Sequence, residues 1–207
     1  QINPDHAEAY NNIGIVLNKQ GYLEEAIEAY NKAIYIQPDY AAAYNNLGNV
    51  FQNQGDNSKA IGAYQKALKI KSDYAEVYNS IGNALYTNGK LEEAIRSYKK
   101  AISINPEWSE VHRNLSIMNR YTADDLHFKQ VLNLIDDEGL DEDARCNLSF
   151  ALYKMYDDIG ELNRAFSHLS KGNALRKTLL KYSINHDIDL FTKLKKTQPH
   201  LQKSFLK

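Results

Sequence analysis

The sequence predicts an all-α protein, a right-handed superhelix (an α-solenoid) of stacked helical hairpins ending in a diverged C-terminal helical cap. Three observations predict it. The first is a 34-residue period: Tyr10, Tyr44 and Tyr78 stand 34 apart, as do Gly14, Gly48 and Gly82, then Ala26, Ala60 and Ala94, then Tyr30, Tyr64 and Tyr98. The second is that each period holds two stretches of helical apolar spacing. Between Ala75 and Trp108, Val77, Tyr78, Ile81, Leu85 and Tyr86 recur at three- and four-residue steps, and Leu91, Ala94, Ile95, Tyr98, Ala101 and Ile102 do so again. The third is a glycine at every break between the two stretches, Gly21, Gly55 and Gly89. Helices this short are marginal alone in water, so each hairpin needs neighbours to cover its apolar faces.

Taken in order, residues 1–6 (Gln-Ile-Asn-Pro-Asp-His) match the end of a repeat, as in Tyr35-Ile36-Gln37-Pro38-Asp39-Tyr40. A chain that opens on this pattern, and on Gln rather than Met, predicts a piece of a longer protein with repeats upstream. Residues 7–40, 41–74 and 75–108 are three full hairpins. Gly14, Gly48 and Gly82 fall mid-helix, where Gly costs about 1 kcal/mol against Ala, so close approach of the partner helix is the expected compensation. Ala26, Ala60 and Ala94 serve the same approach from the second helix. Gly21, Gly55 and Gly89 suit a positive φ at the turn. Pro38 and Pro106 stop the second helices, and Ser72 stands where the middle proline is missing.

After Trp108 the pattern diverges. Residues 109–136 read as an altered hairpin: a first helix over Ser109–Tyr121, then a helix to about Ile135 capped by Thr122 or Asp124. Residues 141–182 read as a further hairpin with its turn at Gly160 and a second helix that overruns to about Tyr182. Gly172 stands there at an alanine column. Residues 183–207 hold a short helix over about Asp187–Lys196 and a terminal linker after Pro199.

Composition excludes several functions. The formal net charge of -1 offers no global attraction for nucleic acid, although residues 176–207 carry eight Lys/Arg against two Asp. The single cysteine, Cys146, forms no internal disulfide and no multi-cysteine metal site. No apolar run reaches a membrane span and no signal peptide opens the chain, so the expected setting is cytoplasmic. Nucleotide-binding, zinc-protease and serine-hydrolase motifs are absent, so no enzyme activity and no cofactor is expected. His6, His112, His127, His168, His186 and His200 show no metal-ligand spacing and read as surface or packing residues. The acidic residues of 136–143 lack a calcium-loop spacing and read as helix caps.

The informative polar feature is asparagine. On the first helices Asn11 and Asn12, Asn45 and Asn46, and Asn79 and Ser80 recur in phase; Arg113 and Asn114 continue the row, and Asn49 and Asn83 follow one turn on. Asn is a middling helix former, so a row of them is not there for helicity. First helices line the concave side of such stacks. A carboxamide both donates and accepts, which suits a passing peptide backbone.

Period and columns together resemble the tetratricopeptide repeat, over three full repeats. The row Tyr44-Asn45-Asn46-Leu47-Gly48-Asn49 is similar to the repeats of O-linked N-acetylglucosamine transferases. That resemblance implies that Asn12, Asn46 and Asn114 line a groove and hold a peptide main chain, with Ser80 departing from the pattern. The two-lysine clamp of chaperone-binding members is not matched; Asn and Glu stand at its positions. Residues 122–196, with Phe150-Ala151-Leu152, Asp157-Asp158-Ile159-Gly160 and Gly172-Asn173-Ala174-Leu175-Arg176, resemble the junction between such repeats and a sulfotransferase domain in bacterial fusion proteins. That implies a catalytic domain beyond this chain, to which these repeats would present substrate. The expected function is a scaffold binding a protein or peptide in its concave groove, without nucleic acid or membrane partners. End-to-end self-association through the first helix is the further expectation.

Overall fold

A computed structural model describes residues 5–181 and Ile188. Among the described residues there are ten helices: α1 (Asp5–Gln20), α2 (Leu23–Ile36), α3 (Ala41–Asn53), α4 (Asn57–Ile70), α5 (Ala75–Thr87), α6 (Leu91–Ile104), α7 (Ser109–Met118), α8 (Leu126–Ile135), α9 (Glu142–Asp158) and α10 (Leu162–Leu179). None is long and apolar enough to cross a membrane. The chain divides into two compact units, residues 1–120 and 121–207.

The first unit is a solenoid of hairpins. Helices α1 and α2, α3 and α4, and α5 and α6 pair, and each second helix packs on the next first helix. The turns are built identically. Gly21, Gly55 and Gly89 have φ of +84°, +80° and +73°. Each glycine N–H bonds back three residues and the next N–H bonds back five, as in Gly21 N to Asn18 O (3.1 Å) and Tyr22 N to Leu17 O (3.0 Å). This is the Schellman closure, which satisfies the last carbonyls of the first helix. No atom lies within 4 Å of an added Cβ at these glycines, so backbone conformation alone selects them.

The mid-helix glycines have the opposite cause. A Cβ on Gly14, Gly48 or Gly82 would lie 2.6, 2.4 or 2.7 Å from the Cε1 of Tyr30, Tyr64 or Tyr98. The partner that approaches is therefore a buried tyrosine ring from the second helix of the same hairpin. Ala26, Ala60 and Ala94 are fully buried alongside. Helix α4 ends at Ile70 without a proline, in the same register as α2 and α6. The stop therefore does not depend on proline.

The second unit centres on α9, against which α8 and α10 pack. Phe128, Val131, Leu148, Leu152, Met155 and Tyr156 form its core. Three sequence expectations change here. The paired helices expected over 109–136 fall in different units: α7 ends at Met118 and belongs to the first, while α8 belongs to the second. The cap of α8 is Asp125, whose carboxylate accepts from the His127 N–H at 2.8 Å, rather than Thr122 or Asp124. The α10 helix ends at Leu179, with Lys181 at a φ of +49°. Gly160 repeats the turn at +80°, and Asp141 caps α9 through the Ala144 N–H at 2.7 Å. Gly172 faces the Phe150 ring, which would lie 3.2 Å from an added Cβ. Here the large residue is on the first helix and the small one on the second, the reverse of the regular repeats. Apart from Ile188, the helix and linker expected over 183–207 lie outside the described residues, as do residues 1–4.

Candidate peptide-binding row on the first helices

Helices α1, α3 and α5 lie side by side, so residues 34 apart form a row. The carboxamides in that row fall into three kinds. Asn11 and Asn79 are buried (5% and 8% exposed), and Asn45 is half-buried. Asn46 reaches across from α3 and donates through Nδ2 to Asn11 Oδ1 at 2.9 Å. The Oδ1 atoms of Asn45 and Asn79 are buried, and among the described residues they have no hydrogen-bond partner. So one rung between neighbouring first helices is closed, and the oxygens that would receive the next two are unpaired. Ser80, too short to copy Asn46, interacts instead with the Tyr64 phenol.

One turn on, Asn49 and Asn83 are held from behind. The Tyr64 hydroxyl lies 2.8 Å from Asn49 Oδ1 and 2.9 Å from Gln52 Oε1, and shares its one proton between them. The Tyr98 hydroxyl donates to Asn83 Oδ1 at 2.6 Å. Burial pushes the Tyr64 phenol up to about 12 and the Tyr98 phenol higher still, so both remain donors at any physiological pH. With their oxygens engaged from behind, Asn49 and Asn83 have their Nδ2 protons left to offer.

Asn12 is exposed, and Arg113 and Asn114 are half-buried on α7. The site can therefore hydrogen-bond but holds no acid–base pair. Among the described residues no group of three or more His, Cys, Asp or Glu could hold a metal ion. In the sequence the tyrosines that orient Asn49 and Asn83 stand out as a repeat column, with no role at the row attached to them. Their signal was present, since Tyr64 and Tyr98 each follow an asparagine by 15 residues, whereas Tyr30 follows Ile15. Two of the tyrosines in the first-helix column are covered by cations, with Lys32 Nζ 5.6 Å from the Tyr10 ring and Lys66 Nζ 5.7 Å from Tyr44.

The tetratricopeptide repeat family model matches residues 5–73 and again 39–107, in the phase of the hairpins described above. The chain is a tetratricopeptide repeat protein. No curated protein sequence matches it. Among solved structures, this tetratricopeptide repeat protein is similar to MamA, with a TM-score of 0.61 at 21% identity over 82% of this chain and 98% of that one. It is also similar to the first tetratricopeptide domain of Spaghetti (RPAP3) bound to the HSP90 peptide SRMEEVD, with a TM-score of 0.54 at 23% identity over 56% of this chain and 92% of that one. The first such domain of human RPAP3 gives 0.55 at 24% identity over 56% and 91%. At these identities the likeness concerns the fold. The family is ordinarily a non-catalytic protein-interaction scaffold.

Proposed function

We propose that the first unit binds an extended peptide segment along the α1, α3, α5 row, with side-chain N–H groups presented to peptide carbonyls. The observation that carries this reading is the pair of tyrosine-held carboxamides, Asn49 and Asn83, on consecutive first helices. Orienting a side chain in advance removes part of the entropy that binding would otherwise cost. The solved domain bound to the HSP90 peptide supports the same class of partner, since it has the same fold. Each hydrogen bond adds only about 0.5–1.5 kcal/mol, so useful affinity comes from several repeats together.

The test is to select a peptide from a random display library and measure its binding by fluorescence polarisation. Replacing Asn49 and Asn83 together by Ala should weaken it by about 1–3 kcal/mol, the sum of two such bonds. Unchanged affinity in a variant with an unchanged helical melt would overturn the assignment.

A second reading, end-to-end self-association, has its own observation. Ile13 and Val16 on α1 are 49% and 53% exposed, while the same register positions are buried on α3 (Leu47, Val50) and on α5 (Ile81, Ala84). On α3 and α5 that face is covered by a second helix of the preceding repeat. In this reading a helix of another copy covers it on α1. Light scattering should then show mass rising with concentration, and Ile13→Lys should abolish the rise. A constant mass would remove this reading.

A further inference from the structure

The second unit contains a cavity of about 660 Å³, within the range of small-molecule pockets. Its origin is legible in the repeat register. Tyr10, Tyr44 and Tyr78 each stand eleven residues before their turn glycine; the residue eleven before Gly160 is Ser149. Ser149 is buried and lines the cavity, so a serine stands where the regular hairpins carry an aromatic ring. At the column of Ala29 and Ala63 stands His168, which stacks on Tyr156 with ring centroids 5.4 Å apart.

The walls differ in character. Leu132 and Ile135 of α8 and Leu175 of α10 supply an apolar surface. Arg145 and Lys171 supply charge, and among the described residues neither has a carboxylate oxygen within 4.0 Å. Arg145 is anchored through Nη2 to the carbonyl oxygens of Asp137 (2.8 Å) and Glu138 (3.3 Å). Asp136 is the lining carboxylate. His168 adds no charge: its Nδ1 is buried without a partner among the described residues, and burial with Lys171 nearby holds its pKa below 6.5. Two cations against one carboxylate leave the lining at +1.

We propose that this cavity binds a small amphipathic anion, its apolar body against Leu132, Ile135 and Leu175 and its carboxylate or sulfonate head at Lys171 and Arg145. The site is separate from the carboxamide row and does not rest on that reading.

The probe is 8-anilinonaphthalene-1-sulfonate, titrated into the folded full chain and followed by fluorescence. Its uncharged counterpart N-phenyl-1-naphthylamine is the comparison. The proposal expects one saturable site for the sulfonate, with amide shift changes at Ser149, His168 and Leu175. Lys171→Glu, on an exposed side chain, should weaken the sulfonate about tenfold or more and leave the neutral probe within about twofold. Ser149→Tyr should restore the missing ring and remove both probes. If Ser149→Tyr does not fold, Ala174→Phe, at an exposed lining position, serves the same purpose. The proposal is overturned if no saturable site is found, if Lys171→Glu affects both probes equally or neither, if the filling variant binds as before, or if the shifts map to Ile13 and Val16 on α1 instead.

Discussion

At the scale of single residues, the glycines divide into two classes that look alike in sequence and differ in physics. Gly48→Ala gains about 1 kcal/mol of helix propensity but drives a Cβ to 2.4 Å from the Tyr64 ring. Overpacking of this kind costs about 1–3 kcal/mol, so the net expectation is loss, read as a lower urea midpoint. Gly55→Ala meets no atom at all yet sits at a φ of +80°, and should cost roughly 1 kcal/mol through the backbone alone. A bulkier residue separates the classes: Gly48→Val should be far worse than Gly48→Ala because the ring must move farther. The carboxamide row gives a prediction of the opposite sign. Asn45 Oδ1 is a buried acceptor without a partner, and Ser80 stands where Asn46 closes the equivalent rung to Asn11. Ser80→Asn should close it and stabilise the first unit by about 0.5–1.5 kcal/mol, measured by chemical denaturation. In the peptide assay it should also strengthen binding, since Ser80 interrupts the row; no gain in either readout would count against the row as a built feature.

At the scale of elements, caps decide where the diverged helices begin. Asp125 caps α8 and Asp141 caps α9. Asp125→Ala and Asp141→Ala should each cost about 1 kcal/mol. Asp124→Ala should cost almost nothing, because that side chain is fully exposed and its ion pair among the described residues is a loose 3.8 Å contact to Lys129. Thermal melts of the three variants would distinguish the cap in the structure from the one the sequence suggested. The ambiguity had a physical source: Thr122, Asp124 and Asp125 all have cap-forming side chains, and only the backbone path after Tyr121 selects among them. The Tyr121 N–H bonds to Asp158 Oδ2 at 3.2 Å and its hydroxyl meets His127 Nδ1 at 2.8 Å, contacts spanning up to 37 residues. Nothing local in the sequence announces them.

At the scale of the whole molecule, pH acts through one histidine in each unit, His112 buried in the first and His168 half-buried in the second. His112 is fully buried in α7 with Nε2 2.8 Å from Pro106 O, and burial holds its pKa below the ordinary 6.5. His168 is shifted the same way. A histidine with a depressed folded pKa takes up a proton more readily when unfolded. Stability is therefore complete above about pH 6.5 and falls as pH drops from there toward the folded values. The melting midpoint should be lower at pH 5.5 than at 7.5, and His112→Gln should flatten part of that slope. Asp56, held below its ordinary 3.8 by Lys59, acts in a separate window at lower pH, where its protonation removes the cap of α4.

What the sequence determined by itself was the hairpin, its phase and its turns. Those depend on single residues whose requirements are local: a positive φ that favours glycine at 21, 55, 89 and 160, and a helical period that repeats every 34 residues. It also identified the asparagine row, because repetition is visible without coordinates. Tertiary structure decided which atoms that row has left to offer, since the Tyr64 and Tyr98 hydroxyls that engage Asn49 and Asn83 come from the opposite helix of the hairpin. It also decided that α7 and α8 belong to different compact units, and that losing a ring at Ser149 leaves a cavity between three helices. Each of these depends on side chains that meet only after the chain has folded back on itself, so no local pattern could encode them.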